Sequence, residues 1–345
     1  MKGFYKQFFS MYVLLVLQNV VTISVNLADN MMLGAYGEIA LSGVAAVNQI
    51  QFVFQQILVA LGEGVVILAS QYWGKKEAGP AGNILAASLR FAAAVVIYMA
   101  KKGGGLPFRL DAYKKTSKTM TGDYRKVILP LLVTQGLWGI NTALQTAVLG
   151  HMDAAAIAAN SAASTLFLLV KSGAVGAAGA ASVLIGTTIG SGQLDLVKLY
   201  ARKLQKIFVG IGMVSGVTLF FLRIPVLSMY RLGESAMAYA NAFLMVLSVV
   251  CAGMSYQMPV NAGIIKGGGN TGFVLKMDLV SIWCIVVPLS LVMAFVVKAS
   301  PVVVVCCLNA DQVFKCIPAF IMVNYGNWIR KLTRDSGARN HIQGS

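Results

Sequence analysis

Four polar side chains recur along the first apolar run of this sequence: Asn19, Thr22, Asn26 and Asp29, spaced three, four and three residues apart. In a helix that spacing places all four on one face. The run from Gln7 to Ala28 carries no charge, and the next charge after Asp29 is Glu38. A carboxylate inside a segment long enough to span a bilayer is costly unless it faces protein or a water-filled interior. The chemistry such a group offers is cation binding. A proton, a metal ion or an organic cation can each neutralise it, and each excludes the others. The competing structural explanation is a carboxylate at the outer helix end, hydrogen-bonded or wet. The polar character of the whole face favours the inward site.

Further polar residues interrupt later apolar runs in the same way. Asn48, Gln55 and Glu63 lie on the second, and Glu63 could face a shared cavity or mark a helix end. Gln135, Trp138, Thr142 and Gln145 form a second stripe, again on one face. Lys171 sits in the middle of its run, too far from an end to snorkel, so it requires a partner, water or a cavity. Asp278, two turns into its helix, reads as a structural residue near a loop. Ser172, Gly176 and Ala180 make a row of small residues at which another helix can approach closely.

The elements that position these groups follow from composition. The chain is 57% hydrophobic and 12% charged, with a mean hydropathy of +0.74. That profile excludes a soluble globular domain and leaves an all-α polytopic membrane bundle. Nine apolar segments are expected near 8–35, 44–72, 82–100, 127–150, 154–189, 205–223, 236–262, 272–297 and 301–322. Glycine clusters at Gly103–Gly105 and Gly267–Gly269 mark connections. The net charge of +16 resides in short connections and tails. Eight Lys/Arg stand against Asp111 and Asp123 between Lys101 and Lys126, which marks a cytoplasmic loop. Basic residues confined to a connection between apolar spans fit that topology better than a nucleic-acid face, so no nucleic-acid partner is expected. The expected organisation is an N-terminal lobe over 1–110, a basic linker over 111–126, a C-terminal lobe over 127–330 and a loose tail over 331–345.

The five cysteines have no metal-ligand spacing and read as buried free thiols. Two histidines are too few for a metal site or a catalytic relay. The first apolar run is too long for a cleavable signal peptide. No nucleophile, base or metal constellation marks an enzyme, and no cofactor is expected.

The chain also repeats itself. An offset of 116 carries the first stripe onto Gln135, Trp138, Thr142 and Gln145. It carries Leu33-Gly34 onto Leu149-Gly150, Gly74 onto Gly190, and Asn48, Gln55 and Gln56 onto Ser164, Lys171 and Ser172. Two similar lobes around a central polar cavity are a common transporter plan.

Specific stretches carry a family resemblance. Leu27-Ala-Asp-Asn-Met-Met-Leu-Gly34 followed by Ser70-Gln-Tyr-Trp-Gly-Lys-Lys76 resembles the first two helices of the multidrug and toxic compound extrusion (MATE) family. Gly136-Leu-Trp-Gly139, Lys266-Gly-Gly-Gly-Asn-Thr271 and Trp328-Ile-Arg-Lys-Leu-Thr-Arg334 agree. The resemblance implies two six-helix lobes forming a V-shaped cavity in the plasma membrane, bacterial in this instance. It implies antiport of cationic or amphipathic small molecules against H⁺ or Na⁺, with Asp29 as the cation-coupling carboxylate. The transport cavity would be lined by Asn19, Thr22, Asn26, Asn48, Gln55, Glu63, Gln135, Thr142, Gln145 and Lys171. A lipid-linked-precursor flippase of related fold is the rival transporter. It would want a more cationic cavity than the amide and carboxylate stripe of the first lobe.

The sequence departs from the family pattern in its first lobe, which shows three segments against six in the second. Gly79-Pro-Ala-Gly-Asn-Ile-Leu-Ala-Ala-Ser88 looks like the family's sixth helix, so the third to fifth are expected to be missing. Lys75-Lys76 and the 101–126 loop both look cytoplasmic with one span between them, which one span cannot satisfy. Residues 82–100 fail to cross, or the second lobe inserts inverted, or the chain is an incomplete, non-transporting remnant. A half-built lobe is expected to leave Gln55 and Glu63 exposed and to transport weakly or not at all. Cysteine labelling at positions 76 and 102, read beside dye efflux, checks this. Labelling on opposite membrane faces together with full efflux would contradict it.

Overall fold

The computed structural model describes residues 2–34, 38–100, 118–228 and 233–333, without the side chains of 2, 25–34, 38–54, 78, 91–100, 118–120, 154, 158, 161 and 165. Nine long helices follow one another among the described residues. They are α1 (Lys2–Gly34), α2 (Glu38–Gly74), α3 (Ala78–Ala100), α4 (Lys118–Met152), α5 (Ala154–Gly190) and α6 (Leu194–Leu227). Then come α7 (Glu234–Ile265), α8 (Thr271–Val296) and α9 (Pro301–Tyr325). There is no strand among the described residues. Eight helices are long and apolar enough to cross a membrane, all but α3, whose side chains are described only in part. A helix satisfies its own backbone polar groups, which is why it can cross lipid.

The last three helices are irregular where the sequence makes them so. Pro259 opens a π-helical end to α7, and α8 alternates α and π turns around Pro288. Proline cannot donate to the helical ladder, and a π turn is one way to absorb the missing bond. The Gly267–Gly269 connection then turns the chain, with Gly269 at φ +94° and Asn270 capping α8 through its side chain to the Phe273 amide. Gly268 lies under the Trp328 ring, where a Cβ would collide with it, and the Arg330 amide donates to the Gly268 carbonyl at 2.8 Å. The two C-terminal sequence stretches that carry the family resemblance therefore meet in space.

The repeat is visible in the helix boundaries. An offset of 116 takes Lys2 to Lys118, Glu38 to Ala154, Gly74 to Gly190 and Ala78 to Leu194, each the first or last residue of a helix. The connecting turns match as well, with Lys76 at φ +62° and its equivalent Gly192 at φ +78°. Helix α3 thus stands in register with α6, as the third helix of its lobe and not the sixth that its composition suggested. A run of alanine, glycine and leucine resembles many helices, and only the turn before it fixes the register. Residues 101–117 are too few for three further spans of about 20 residues each, and among the described residues the first lobe has three helices.

The lobes meet where α2 crosses α5. A Cβ on Gly74 would strike the carbonyl of Thr187, and one on Gly190 would strike the carbonyl of Gln71. Gln71 and Thr187 are themselves equivalent at the 116 offset, so the two contacts are one contact seen twice. Between them Ser70 lies against its own equivalent, Gly186. A pseudo-two-fold axis therefore passes through this crossing. Further along α5 the expected small-residue row receives α1: a Cβ on Gly176 would meet Val16 at 2.6 Å.

Several boundaries differ from the sequence expectation. Residues 118–126, expected in the basic linker, are the opening turns of α4. Tyr124 is fully buried there and donates to the Leu61 carbonyl at 2.9 Å. Residues 331–333, expected in the loose tail, dock on α2, where the Leu332 amide donates to Gln71 at 2.8 Å. Helix α6 begins at Leu194, well before its apolar stretch, because its basic first turns remain helical at the bundle end. Of the cysteines only Cys251 is buried; Cys284 and Cys306 are exposed on the bundle, and Cys307 and Cys316 are half-buried. Gly103–Gly105 lies outside the described residues.

One end of the bundle gathers the basic residues. Lys203 of α6 lies 5.8 Å from the Phe4 ring centroid of α1, and Gln71 at the end of α2 donates to the Arg330 carbonyl after α9. Gly190→Ala is expected to destabilise the purified protein by about 1–3 kcal/mol, because the α2 backbone cannot yield to an added methyl. Gly136→Ala, with nothing within 4 Å, is expected to be neutral or slightly stabilising. Thermal unfolding of both variants in detergent checks the contrast.

Candidate functional site

A chain of polar contacts crosses from the first lobe to the second. Glu63 of α2 accepts from Lys266 at 3.1 Å and from the Gln135 amide of α4 at 3.4 Å. Gln135 in turn accepts from Gln56 of α2 at 3.4 Å. The Lys266 side chain is 7% exposed and that of Glu63 29%. Lys266 reaches this position because the π-helical end of α7 and the glycine turn after it fold the chain back toward α2. An ammonium so poorly hydrated requires a carboxylate, and the first lobe supplies it.

Lys171 of α5 has a different environment. Its ammonium lies 4.6 Å from the centroid of the Trp138 ring of α4, a cation–π arrangement. The side chain is half-buried, and it makes no ion pair among the described residues.

A second charged cluster lies inside the second lobe. Lys315 of α9 pairs with Asp278 of α8 at 2.8 Å and with Asp311 one turn earlier at 2.9 Å. Gln312 donates to Asp311, Gln257 of α7 donates to Gln312, and Asn261 donates to Gln257. The helix break at Asn309–Ala310 lets α9 bring Asp311 and Lys315 into this network.

The expected cavity residues separate into groups. Gln135 and Glu63 come together where α2 meets α4, and Lys171 of α5 lies against Trp138, one turn along α4 from Gln135. Gln55 is exposed, as a short first lobe implies, whereas Glu63 is engaged and not left open. Asn19 donates to the Leu15 carbonyl and Thr22 to that of Gln18, so both spend their hydrogen bonds on their own helix, and Thr22 is exposed. Thr142 likewise donates to the Trp138 carbonyl. Gln145 lines a cavity of about 10 Å³ with Asn141 and Ser290. Asn26, Asp29 and Asn48 lie outside the residues whose side chains are described. Sequence reasoning missed Lys266 as the partner of Glu63, which no spacing could reveal. It also missed Asp311 and Lys315, although an acid and a lysine four residues apart in an apolar helix were a visible signal.

The sequence profile of the MatE family matches residues 15–101 and 130–292. The chain belongs to this family. It is a multi-pass membrane protein of the MATE transporter type, with a first lobe of three helices. Solved structures share the fold. A MATE in complex with MaL6 superposes with a TM-score of 0.77 at 14% identity, covering 92% of this chain and 95% of that one. A mutant of the Vibrio cholerae MATE transporter VcmN gives 0.79 at 12% identity, over 93% and 96%. The MATE transporter ClbM in complex with Rb⁺ gives 0.74 at 13% identity, over 93% and 94%. No curated protein matches the chain significantly.

Removing the one cation between two carboxylates should be severe. Lys315→Met is expected to cost about 3–5 kcal/mol, since Asp311 is left charged and buried. Asp278→Asn is expected to cost about 1 kcal/mol, because Asp311 still holds Lys315 and Asp278 is partly exposed. Unfolding of the detergent-solubilised variants, followed by helical circular dichroism, checks the asymmetry.

Proposed function

We propose that this transporter is a secondary active exporter of cationic or amphipathic small molecules, driven by entry of H⁺ or Na⁺ across a bacterial plasma membrane. The observation that carries this reading is the polar junction of Gln56, Glu63, Gln135 and Lys266, built by both lobes within the apolar bundle. Polar groups at a repeat interface inside the membrane are where a substrate path with alternating access runs. Asp29 is the proposed coupling carboxylate, at which substrate cation and coupling ion exclude one another. Exclusion plus alternating access suffices for exchange. The membrane potential contributes roughly 2.3 kcal/mol per charge per 100 mV.

A second reading has its own support. Ile84 and Ala87 of α3 share a core with Tyr124 and Val127 of α4, so both helices start at the same end of the bundle. A first lobe of three helices cannot enclose the cavity as six would, and the chain is then a non-transporting remnant. Reconstitution decides between the two. Proteoliposomes holding the purified chain are expected to move ethidium slowly, only under an imposed pH or Na⁺ gradient, and not at all in Asp29→Asn. No gradient-driven movement by the wild-type chain would establish the remnant reading.

A further inference from the structure

We infer that Lys171 and Trp138 form a binding site for the acidic head of an amphipathic ligand, a carboxylate, sulfonate or phosphate attached to an apolar or aromatic body. This deepens the exporter reading above and rests on it for the cavity being a substrate path. Three interior lysines are described in detail, and two of them are neutralised at short range: Lys266 by Glu63 at 3.1 Å, Lys315 by Asp278 and Asp311 at 2.8 and 2.9 Å. Lys171 alone among these three has no carboxylate within ion-pair distance among the described residues. Asp311 is the carboxylate whose field reaches it, and that group is already held by Lys315 and Gln312. The Lys171 ammonium touches the face of one indole and makes no hydrogen bond among the described residues.

A lysine offers three N–H donors and no acceptor, so the site as built recognises only an electron-rich oxygen. Lys171 lies midway along α5, beyond the reach of the lipid head groups by snorkelling, and its side chain is half-buried. A cation kept inside a bundle without a partner is sustained by water or by a ligand. Trp138 belongs to the polar stripe of α4, one turn from Gln135, which reaches Glu63 of the first lobe. The indole supplies a flat apolar platform beside the charge. Together they match a ligand with an acidic head and a flat body, and a purely cationic ligand would meet like charge there.

The test uses the full chain in phosphatidylcholine nanodiscs, with carboxyfluorescein as anionic probe and ethidium as cationic probe, followed by fluorescence anisotropy. The wild-type chain is expected to bind carboxyfluorescein, Lys171→Gln to weaken it about tenfold or more, and Lys171→Arg to retain it within a few-fold. Ethidium binding is expected to be kept or strengthened in Lys171→Gln, since a like charge is removed. A measurement on the unmodified chain stands beside these. Carboxyfluorescein is expected to protect Lys171 from acetylation by acetic anhydride, read by mass spectrometry, and ethidium to give no protection. Wild-type affinity in Lys171→Gln, or an equal loss of both dyes, or absence of protection, would overturn the site. A chain that binds ethidium but not carboxyfluorescein would overturn the site and leave the exporter reading intact. Carboxyfluorescein bound at Lys171 without any transport in proteoliposomes would uphold the site and refute export. Phosphatidylglycerol added to the discs separates the sources of the acidic head. Displacement of the dye names a lipid head group and retention names a free amphipath, and either result upholds the site.

Discussion

Backbone contact between α2 and α5 is the constraint on which the rest of the structure depends. Gly74 meets Thr187 and Gly190 meets Gln71, two equivalent contacts about one pseudo-two-fold axis. In lipid there is no hydrophobic drive to bring helices together, so close packing and polar contacts must do it. Glycine permits the closest approach, and both strands of the repeat use it at the same place. Because the crossing is so tight, side chains a few turns away are forced across the lobe boundary. Glu63 lies eleven residues before Gly74, about 16 Å along α2, and there it meets Gln135 and Lys266 of the other lobe. The crossing and the polar junction are consequences of one geometry.

The interior is then organised by the cost of isolated charge. Lys266 and Lys315 are each buried and each answered by a carboxylate from a different helix. Both pairs tie elements that lie far apart in sequence: Glu63 to the end of α7, and Asp278 of α8 to α9. Breaking such a pair is more costly than never having built it. The pairs therefore fix which helices are neighbours, while the glycine crossings fix how near they come. Lys171 departs from that pattern, which is what makes it informative about ligands.

Much of this was legible in the sequence, for identifiable reasons. Spans and the repeat could be read because lipid demands long apolar runs and because both lobes keep glycine and polar residues at the same offset. Gly176 and the residues around it were read correctly as a packing surface, since small side chains at helical spacing have few other uses. The register of α3 was misread because its composition is generic. The turn at Lys76 fixed it, where φ is positive in a lysine as in its glycine equivalent. The partners of Glu63 and Asp278 were not legible at all, because pairs separated by 203 and 37 residues leave no local pattern. The stripe on α1 was read as a cavity face, but Asn19 and Thr22 satisfy themselves on their own helix. A polar side chain near a free carbonyl one turn back can always take that option.

The central claim is that the two lobes are joined across the membrane interior by the Glu63–Lys266 pair. A double-mutant cycle with exchanged charges tests it most directly, comparing the stabilities of Glu63→Lys, Lys266→Glu and the double exchange. The expected result is a severe loss in each single variant and substantial recovery in the double, with a coupling of about 0.5–3 kcal/mol. Additive losses, with no recovery when the charges are exchanged, would contradict the account.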